Sequence, residues 1–183
     1  MRYELLIAGM GGQGIVLSGI IIGAAASVHA GKNATHIQSY GPEARGGRVR
    51  SELVISDEEI DYPRVRRPDL VVLMSQAAYN AYADRVKRGG ALIYDPDLIR
   101  ETREFKDVKV YAVPATRMAE KLGRRIVANI VMIGALTAIS GVLDVDAVKK
   151  AILERVPKGT EELNLKAFKM GYEYGLSLIK GEG

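Results

Sequence analysis

The feature that most constrains the fold of this chain is a glycine-rich turn at residues 9–14, set between two apolar segments. Residues 3–8, before the turn, form a short apolar run that is typical of a buried strand. Residues 15–30, after it, are uncharged apart from His29 and are typical of a buried helix that closes near Gly31. Glycines at G-x-G-x-x-G spacing allow the tight turn that joins such elements. The pattern therefore predicts a strand–turn–helix unit at the start of an α/β fold.

Strand and helix patterns continue to alternate through residue 122. A helix is predicted over 76–88, and Pro114 predicts the start of a short helix, because a first turn needs no amide donor there. Further strands are predicted from short apolar or alternating runs at 34–40, 49–55, 69–74, 91–94 and 108–113. This alternation predicts an α/β fold with a Rossmann-like, mainly parallel sheet and flanking helices.

The last third of the chain is predicted to be helical. An uncharged stretch covers residues 126–143, and polar residues and glycines within it favour a buried helix over a membrane span. An apolar stripe then follows at spacings of three and four residues: Leu165, Phe168, Tyr172, Leu176 and Ile179. We expect residues 1–183 to form a single domain.

The glycine turn has two possible roles. Glycine amides and a helix start can bind a phosphate, or the glycines can serve close packing. A dinucleotide site also needs an acid about 20 residues further on, to hold the ribose hydroxyls. Residues 35–39 supply no acid there, and the nearest cations are Lys32 and Arg45. The sequence therefore argues against a nicotinamide cofactor, whereas phosphate binding and packing both stay open.

The composition excludes several kinds of chemistry. The chain has no cysteine, so it offers no cysteine nucleophile, no thiolate zinc site and no ligand for an iron–sulfur cluster. His29 and His36 are too few for a histidine metal centre and have no evident triad partner. The net charge of +4 permits a phosphate-bearing ligand without demanding nucleic acid. We expect a cytoplasmic protein with no membrane or nucleic-acid partner, and the basic run 64–67 is interpreted as a solvated loop or subunit contact.

A second glycine-rich segment, residues 39–47, reads Ser-Tyr-Gly-Pro-Glu-Ala-Arg-Gly-Gly. Together with the first turn, it resembles the gamma subunit of 2-oxoacid:ferredoxin oxidoreductases. The resemblance continues through residues 51–56, the strand entry at Pro68 and the helix from Asn129 to Leu136, and it ends at the pattern around Phe168 and Tyr172. It therefore spans almost the whole chain. The Tyr-Gly-Pro-Glu-Ala-Arg-Gly-Gly run is similar to the 2-oxoglutarate type, since pyruvate-type chains more often carry Phe-Gly and consecutive arginines there.

The resemblance implies a subunit of an enzyme that decarboxylates a 2-oxoacid, forms an acyl-coenzyme A and reduces ferredoxin. It implies alpha and beta subunits that hold thiamine diphosphate and magnesium, and a delta subunit or domain that holds iron–sulfur clusters. It places no catalytic residue and no metal in this chain. We expect the isolated chain to be inactive and to form homo-oligomers through the surface that normally contacts alpha.

For the role of this chain, the expectation is coenzyme A binding together with subunit contact. Arg50 is a further candidate cation beside Arg45 and Arg48. The candidate contact residues lie in the two glycine segments and at the start of the following strand: Gly11, Gly12, Gln13, Gly14, Tyr40, Gly41, Glu43, Arg45 and Arg48. A purely structural pairing of Glu43 with Arg45 stays open. The rival functions are a free-standing nucleotide- or flavin-binding reductase and an indolepyruvate, pyruvate or branched-chain subunit of the same superfamily.

Overall fold

The computed structural model describes residues 1–42 and 47–181. Its strands form one six-stranded sheet in the order β2-β3-β1-β4-β5-β6. The strands are β1 (Arg2–Met10), β2 (Asn33–Tyr40), β3 (Arg48–Ser56), β4 (Leu70–Leu73), β5 (Ala91–Tyr94) and β6 (Lys109–Ala112). β3 runs antiparallel to both of its neighbours, and the other pairings are parallel. The prediction of a mainly parallel sheet is confirmed.

Helices pack on both faces of this sheet. They are α1 (Ile15–Ala24), α2 (Gln76–Tyr82), α3 (Ala115–Lys121), α4 (Ala128–Ser140), α5 (Val145–Arg155) and α6 (Glu161–Lys180). Alternate side chains of β1 lie on opposite faces of the sheet, because successive side chains of a strand point in opposite directions. Leu5 and Ile7 join the larger core with α1 and α4, whereas Leu6 and Ala8 join a smaller core with α2. The layered α/β architecture and the helical last third are confirmed.

Three helices are shorter than the sequence pattern predicts. α1 ends at Ala24 and continues as a π-helical turn over Ala25–His29. The helix predicted over 76–88 gives way to a 3-10 turn over Ala83–Arg85, after which the amide of Lys87 bonds the carbonyl of Pro68 beside the sheet. A 3-10 turn, Arg125–Val127, also precedes α4. None of the helices within the described ranges has the length and apolar character needed to cross a membrane.

The buried face of α6 differs from the predicted apolar stripe. Of the five stripe residues, Phe168 is fully buried and the other four are half-buried. The buried face consists instead mostly of small residues: Asn164, Ala167, Phe168, Gly171 and Gly175. A Cβ at Gly171 would overlap the carbonyl of Val131, so α4 and α6 pack backbone against backbone. Because this contact excludes large side chains, the buried face of α6 is centred on small residues. The spacing of large apolar residues therefore predicted the wrong centre for the buried face.

Candidate functional site

The first glycine segment forms the turn from the end of β1 into α1. Gly12 and Gly14 have φ angles of 90° and 74°, which glycine adopts without strain. A Cβ at Gly12 would meet nothing within 4 Å, so the outer side of the turn is open. In the described residues the amides of Gly12 and Gly14 form no hydrogen bond, whereas Gly11 donates to the carbonyl of Gly47 at 2.9 Å. The turn therefore presents free amides at a helix start, as phosphate binding requires.

The side chain of Gln13 holds this turn in place. Its Oε1 accepts a hydrogen bond from the Met10 amide at 2.7 Å, and its Nε2 donates to the Met74 carbonyl at 2.8 Å. Met10 ends β1, and Met74 directly follows β4. Gln13 thus joins the carboxyl ends of two adjacent parallel strands. Its side chain therefore fixes the shape of the turn, and one N–H of its amide is not used in these two bonds.

A cavity of about 550 Å³ opens beside the turn, on the α1 and α4 face of the sheet. Its walls are mainly apolar and include Ile15, Val49 and Leu163. Tyr40 and Ile126 stand at its rim and are 66% and 72% exposed, which is high for such large apolar side chains. This combination of an open apolar cavity and free glycine amides makes the region the leading candidate binding site.

Two asparagines from the last third of the chain line the same cavity. Asn129 and Asn164 are only 4% and 5% exposed. Asn129 Nδ2 donates to the Gly14 carbonyl at 3.3 Å, and Asn164 Nδ2 donates to the Thr160 carbonyl at 2.9 Å. Their Oδ1 atoms have no partner in residues 1–42 and 47–181, and no fully buried side-chain polar atom there is unpaired. Because both residues line the cavity, their amide oxygens are candidates to accept hydrogen bonds from a ligand there.

Two arginines directly precede the exposed Ile126. Arg124 lines the main cavity, and Arg125 lines a neighbouring one of about 290 Å³ that shares Gly12. Arg125 lies 3.9 Å from Glu120, whereas the side chain of Arg124 has no partner in the described part of the chain. Arg124 is thus a cation at the main cavity that is available for a ligand. Arg124 and both asparagines were not among the predicted site residues, because all three lie more than 100 residues from the turn.

Only some of the predicted site residues line the main cavity. Tyr40, Gly11, Gly12 and Gly14 line the main cavity. The Gly41 amide closes the pairing of β2 with β3 by donating to the Arg48 carbonyl at 2.7 Å. Glu43 and Arg45 lie outside the described residues.

Arg50 lies on the opposite face of the sheet, so it is not placed to bind a ligand at the glycine turn. Its Nε is 3.4 Å from Glu52, and its Nη1 donates to the Tyr82 hydroxyl at 3.4 Å. The sequence analysis grouped Arg50 with Arg48 as cations that could bind phosphate groups. In β3, Val49 lies on the cavity face, so Arg50 next to it points to the other face.

Both histidines have structural contacts away from the cavity. His36 Nε2 lies 3.0 Å from Ser51 Oγ, which itself donates to the Ile15 carbonyl. Burial lowers the pKa of the His36 imidazole below its usual value, which favours the neutral ring. His29 Nε2 lies 2.9 Å from a Glu154 carboxylate oxygen. Across the described ranges, no group of three histidine, cysteine, aspartate or glutamate side chains could hold a metal ion.

These features define a Rossmann-like fold with a candidate binding cavity, and comparison with known proteins specifies its family. Residues 4–174 match the model of the pyruvate ferredoxin/flavodoxin oxidoreductase family, so the chain belongs to that family. It is 54% identical over 179 residues to the 2-oxoglutarate synthase subunit KorC of Methanothermobacter thermautotrophicus. That alignment covers 94% of this chain and 95% of the relative. The family resemblance drawn from the two glycine segments is confirmed.

Solved structures specify the kind of subunit. The keto/oxoacid ferredoxin oxidoreductase gamma subunit of Geobacter sulfurreducens superposes with a TM-score of 0.86 at 42% identity, over 96% of this chain and 99% of that one. The 2-oxoglutarate:ferredoxin oxidoreductase of Magnetococcus marinus, solved with 2-oxoglutarate, coenzyme A and succinyl-CoA bound, gives a TM-score of 0.88 at 25% identity. It covers 96% of this chain and 31% of that chain. The present chain is therefore a gamma-type subunit of a larger oxidoreductase.

Proposed function

We propose that this chain is the gamma subunit of a 2-oxoglutarate:ferredoxin oxidoreductase. The 54% identity to a 2-oxoglutarate synthase subunit, over nearly the full length of both chains, supports this substrate. The Tyr-Gly-Pro-Glu-Ala-Arg-Gly-Gly segment at residues 40–47 supports the same type. An indolepyruvate, pyruvate or branched-chain enzyme of the superfamily is the alternative. A free-standing reductase is disfavoured, because β3 separates β2 from β1 and no acid stands at the end of β2.

The chemistry of the complex belongs to partner subunits in this proposal. Thiamine diphosphate, magnesium and iron–sulfur clusters would be held by alpha, beta and delta subunits, which would pass electrons to ferredoxin. This chain lacks cysteine, and its described residues offer no cluster of metal-ligating side chains. It would therefore contribute binding and assembly, with no catalytic residue of its own. A cytoplasmic location agrees with coenzyme A as the substrate of the complex.

The cavity beside the glycine turn would receive coenzyme A. The single observation that carries this proposal is the combination, in one cavity, of apolar walls, free glycine amides and two nearly buried asparagines. Coenzyme A has matching parts, since its phosphates suit the turn and Arg124, while its pantetheine arm has apolar carbons and amide N–H groups. Asn129 Oδ1 and Asn164 Oδ1 can accept from those amides.

The test is coenzyme A saturation of the assembled enzyme carrying Arg124→Ala or Asn164→Ala. Loss of a charge-assisted hydrogen bond, about 1.5–3 kcal/mol, predicts that Arg124→Ala raises the KM for coenzyme A by about tenfold or more. Asn164→Ala should raise the same KM, because the apolar cavity would then leave a ligand amide unpaired. The KM for 2-oxoglutarate should stay unchanged in both variants.

Matched controls lie away from the cavity. Arg88→Ala removes one arginine from the pair with Asp107, where the Arg88 side chain is 79% exposed. Asn80→Ala removes an exposed asparagine of α2. If the Arg124 and Asn164 variants saturate with coenzyme A as these controls do, while the complex stays assembled, the cavity has no part in coenzyme A binding.

A further inference from the structure

Residues 57–68 form an irregular segment that covers the sheet face opposite the coenzyme A cavity. We call this segment the strap. Its backbone is fixed at several points despite the lack of regular secondary structure. The amides of Arg66 and Arg67 both donate to Glu4 Oε1, at 2.7 and 2.9 Å, and Thr35 Oγ1 donates to the Pro63 carbonyl at 2.9 Å. Val65 is buried beneath it at 4% exposure. The strap is therefore a defined surface.

A buried carboxylate organises the arginines around the strap. Glu52 is 1% exposed and lies on the strap face of β3. Arg64 Nη2 lies 2.9 Å from Glu52 Oε2, Arg50 Nε lies 3.4 Å from the same oxygen, and Arg85 Nη2 lies 3.9 Å from Oε1. Three guanidinium groups thus share one carboxylate. The cluster keeps a positive excess and positions these side chains before any partner arrives.

The positive excess extends along the second half of the strap, from Arg64 to Arg67. Arg2 pairs with Glu4 at 3.1 Å and also donates to the Arg64 carbonyl. The side chains of Arg66 and Arg67 are exposed and form no ion pair within the described part of the chain. This group, which we call the arginine patch, consists of Arg2, Arg50, Arg64, Arg66, Arg67 and Arg85. Two carboxylates, Glu4 and Glu52, are placed to balance it.

An aromatic side chain stands within this patch. Tyr62 is 40% exposed, and the guanidinium carbon of Arg66 lies 3.7 Å from the centre of its ring. Tyrosine and arginine are the residue types enriched at the energetic centres of protein interfaces. A stacked and exposed pair of this kind is already ordered, so binding would cost little side-chain entropy.

The shape and charge of the patch distinguish between classes of partner. The six arginines line none of the cavities described above, so the patch suits an extended surface better than a small anion. The first half of the strap carries exposed carboxylates at Glu58, Glu59 and Asp61, which would repel a nucleic-acid backbone. A nucleic-acid backbone is negatively charged along its whole length, whereas a protein carries its carboxylates at separate positions. A partner protein can therefore place carboxylates opposite the arginines and none opposite these acids.

We infer that the strap is a docking surface for an acidic face of a partner subunit of the oxidoreductase, with the Tyr62–Arg66 pair at its centre. This inference rests on the proposed function, because it needs the multi-subunit complex. The cavity side and the strap side would then contact different parts of the assembly. Binding at the strap would be dominated by charge and would weaken as salt rises.

The test uses the complex purified from co-expressed subunits. The double variant R66E/R67E reverses two exposed charges and keeps the backbone amides that bind Glu4. We expect it to weaken retention of this chain in the complex by about tenfold or more, and to lower the NaCl concentration at which half of the chain dissociates. The variant Y62A should weaken retention with little change in salt dependence, since it removes a neutral contact.

The control is K149E/K150E, which reverses two neighbouring exposed charges on α5, on the other side of the sheet. Thermal unfolding of each isolated chain separates loss of docking from loss of fold. Retention of R66E/R67E within twofold of the control would overturn the inference, and so would a wild-type complex whose dissociation is insensitive to salt. Release of co-purifying nucleic acid by R66E/R67E, with the complex intact, would also overturn it. Failure of the wild-type subunits to assemble at all would instead refute the proposed function.

Discussion

β3 contributes to two surfaces that differ in almost every physical respect. On one side, Val49 lines a mainly apolar cavity whose polar groups include two buried asparagines, free glycine amides and Arg124. On the other side, Glu52 holds an excess of arginines under the strap. The cavity suits recognition mainly by shape and hydrogen bonding, with a charge from Arg124, whereas the strap suits recognition by charge. Alternation along a single strand is enough to separate two modes of binding in one small fold.

The largest expected effect comes from Gly171→Ala, which should disrupt the cavity side and spare the strap. A Cβ there would overlap the backbone carbonyl of Val131, which cannot move away as a side chain could. We expect a loss of about 3 kcal/mol or more in the free energy of unfolding, at the upper end of overpacking effects. Asn129 on α4 and Asn164 on α6 would also move apart. Chemical denaturation and the KM for coenzyme A of the surviving complex measure these effects.

Gly23→Ala is the matched control for that substitution. Its Cβ would meet Leu53 at an ordinary contact distance of 3.8 Å, and alanine favours a helix over glycine by about 1 kcal/mol. We therefore expect its stability to equal or exceed that of the wild type. Equal stability of Gly171→Ala and Gly23→Ala would show that the close contact between α4 and α6 is not essential.

A smaller effect is expected from Glu52→Gln, which should loosen the strap and spare the cavity. Glutamine can accept one hydrogen bond here, but its amide group would face guanidinium donors. Loss of a charge-assisted hydrogen bond predicts about 2 kcal/mol of destabilisation. Trypsin should then cleave faster after Arg64 and Arg66, which limited proteolysis would detect. Glu58→Gln, at an exposed position of the strap, serves as the control, and equal cleavage rates in the two variants would contradict the role of Glu52.

The smallest effect concerns pH and acts on the cavity side of the sheet. Burial lowers the pKa of the His36 imidazole, so the unfolded chain binds a proton more readily than the folded one. The stabilisation that the neutral His36 ring gives to the folded chain is therefore fully present above about pH 6.5. It is lost as the pH falls towards the lowered pKa of His36 in the folded chain. The groups facing the ring are Ser51 and the backbone around Gly19, and neither titrates.

The measurement is thermal unfolding of the wild type and His36→Gln between about pH 7.5 and about pH 5. Acid should lower the melting temperature of the wild type more than that of the variant. Parallel curves for the two proteins would show that His36 does not couple stability to pH. Dissociation at the strap should not follow this transition, because guanidinium groups stay charged throughout the range.

Much of the fold could be predicted from local pattern. Strands β1, β2 and β5 and the start of α1 lie close to their predicted positions, because apolar runs and glycine turns are local signals. The family resemblance was also carried by local signals, because each of the two glycine segments is a short continuous run of residues. The face of α6 was predicted wrongly, since hydrophobic spacing gives no information about a helix pair that packs through Gly134 and Gly171.

The sequence by itself determined the class of fold, the absence of cysteine chemistry and the presence of a glycine turn before a helix. Only the tertiary structure decided what that turn faces. It placed Asn129, Asn164 and Arg124 beside the turn and removed Arg50 to the other face of the sheet. The physical reason is that turns and helices depend on neighbouring residues, whereas a cavity depends on contacts between segments more than 100 residues apart. Such contacts are set by sheet order and helix packing, which no local pattern records.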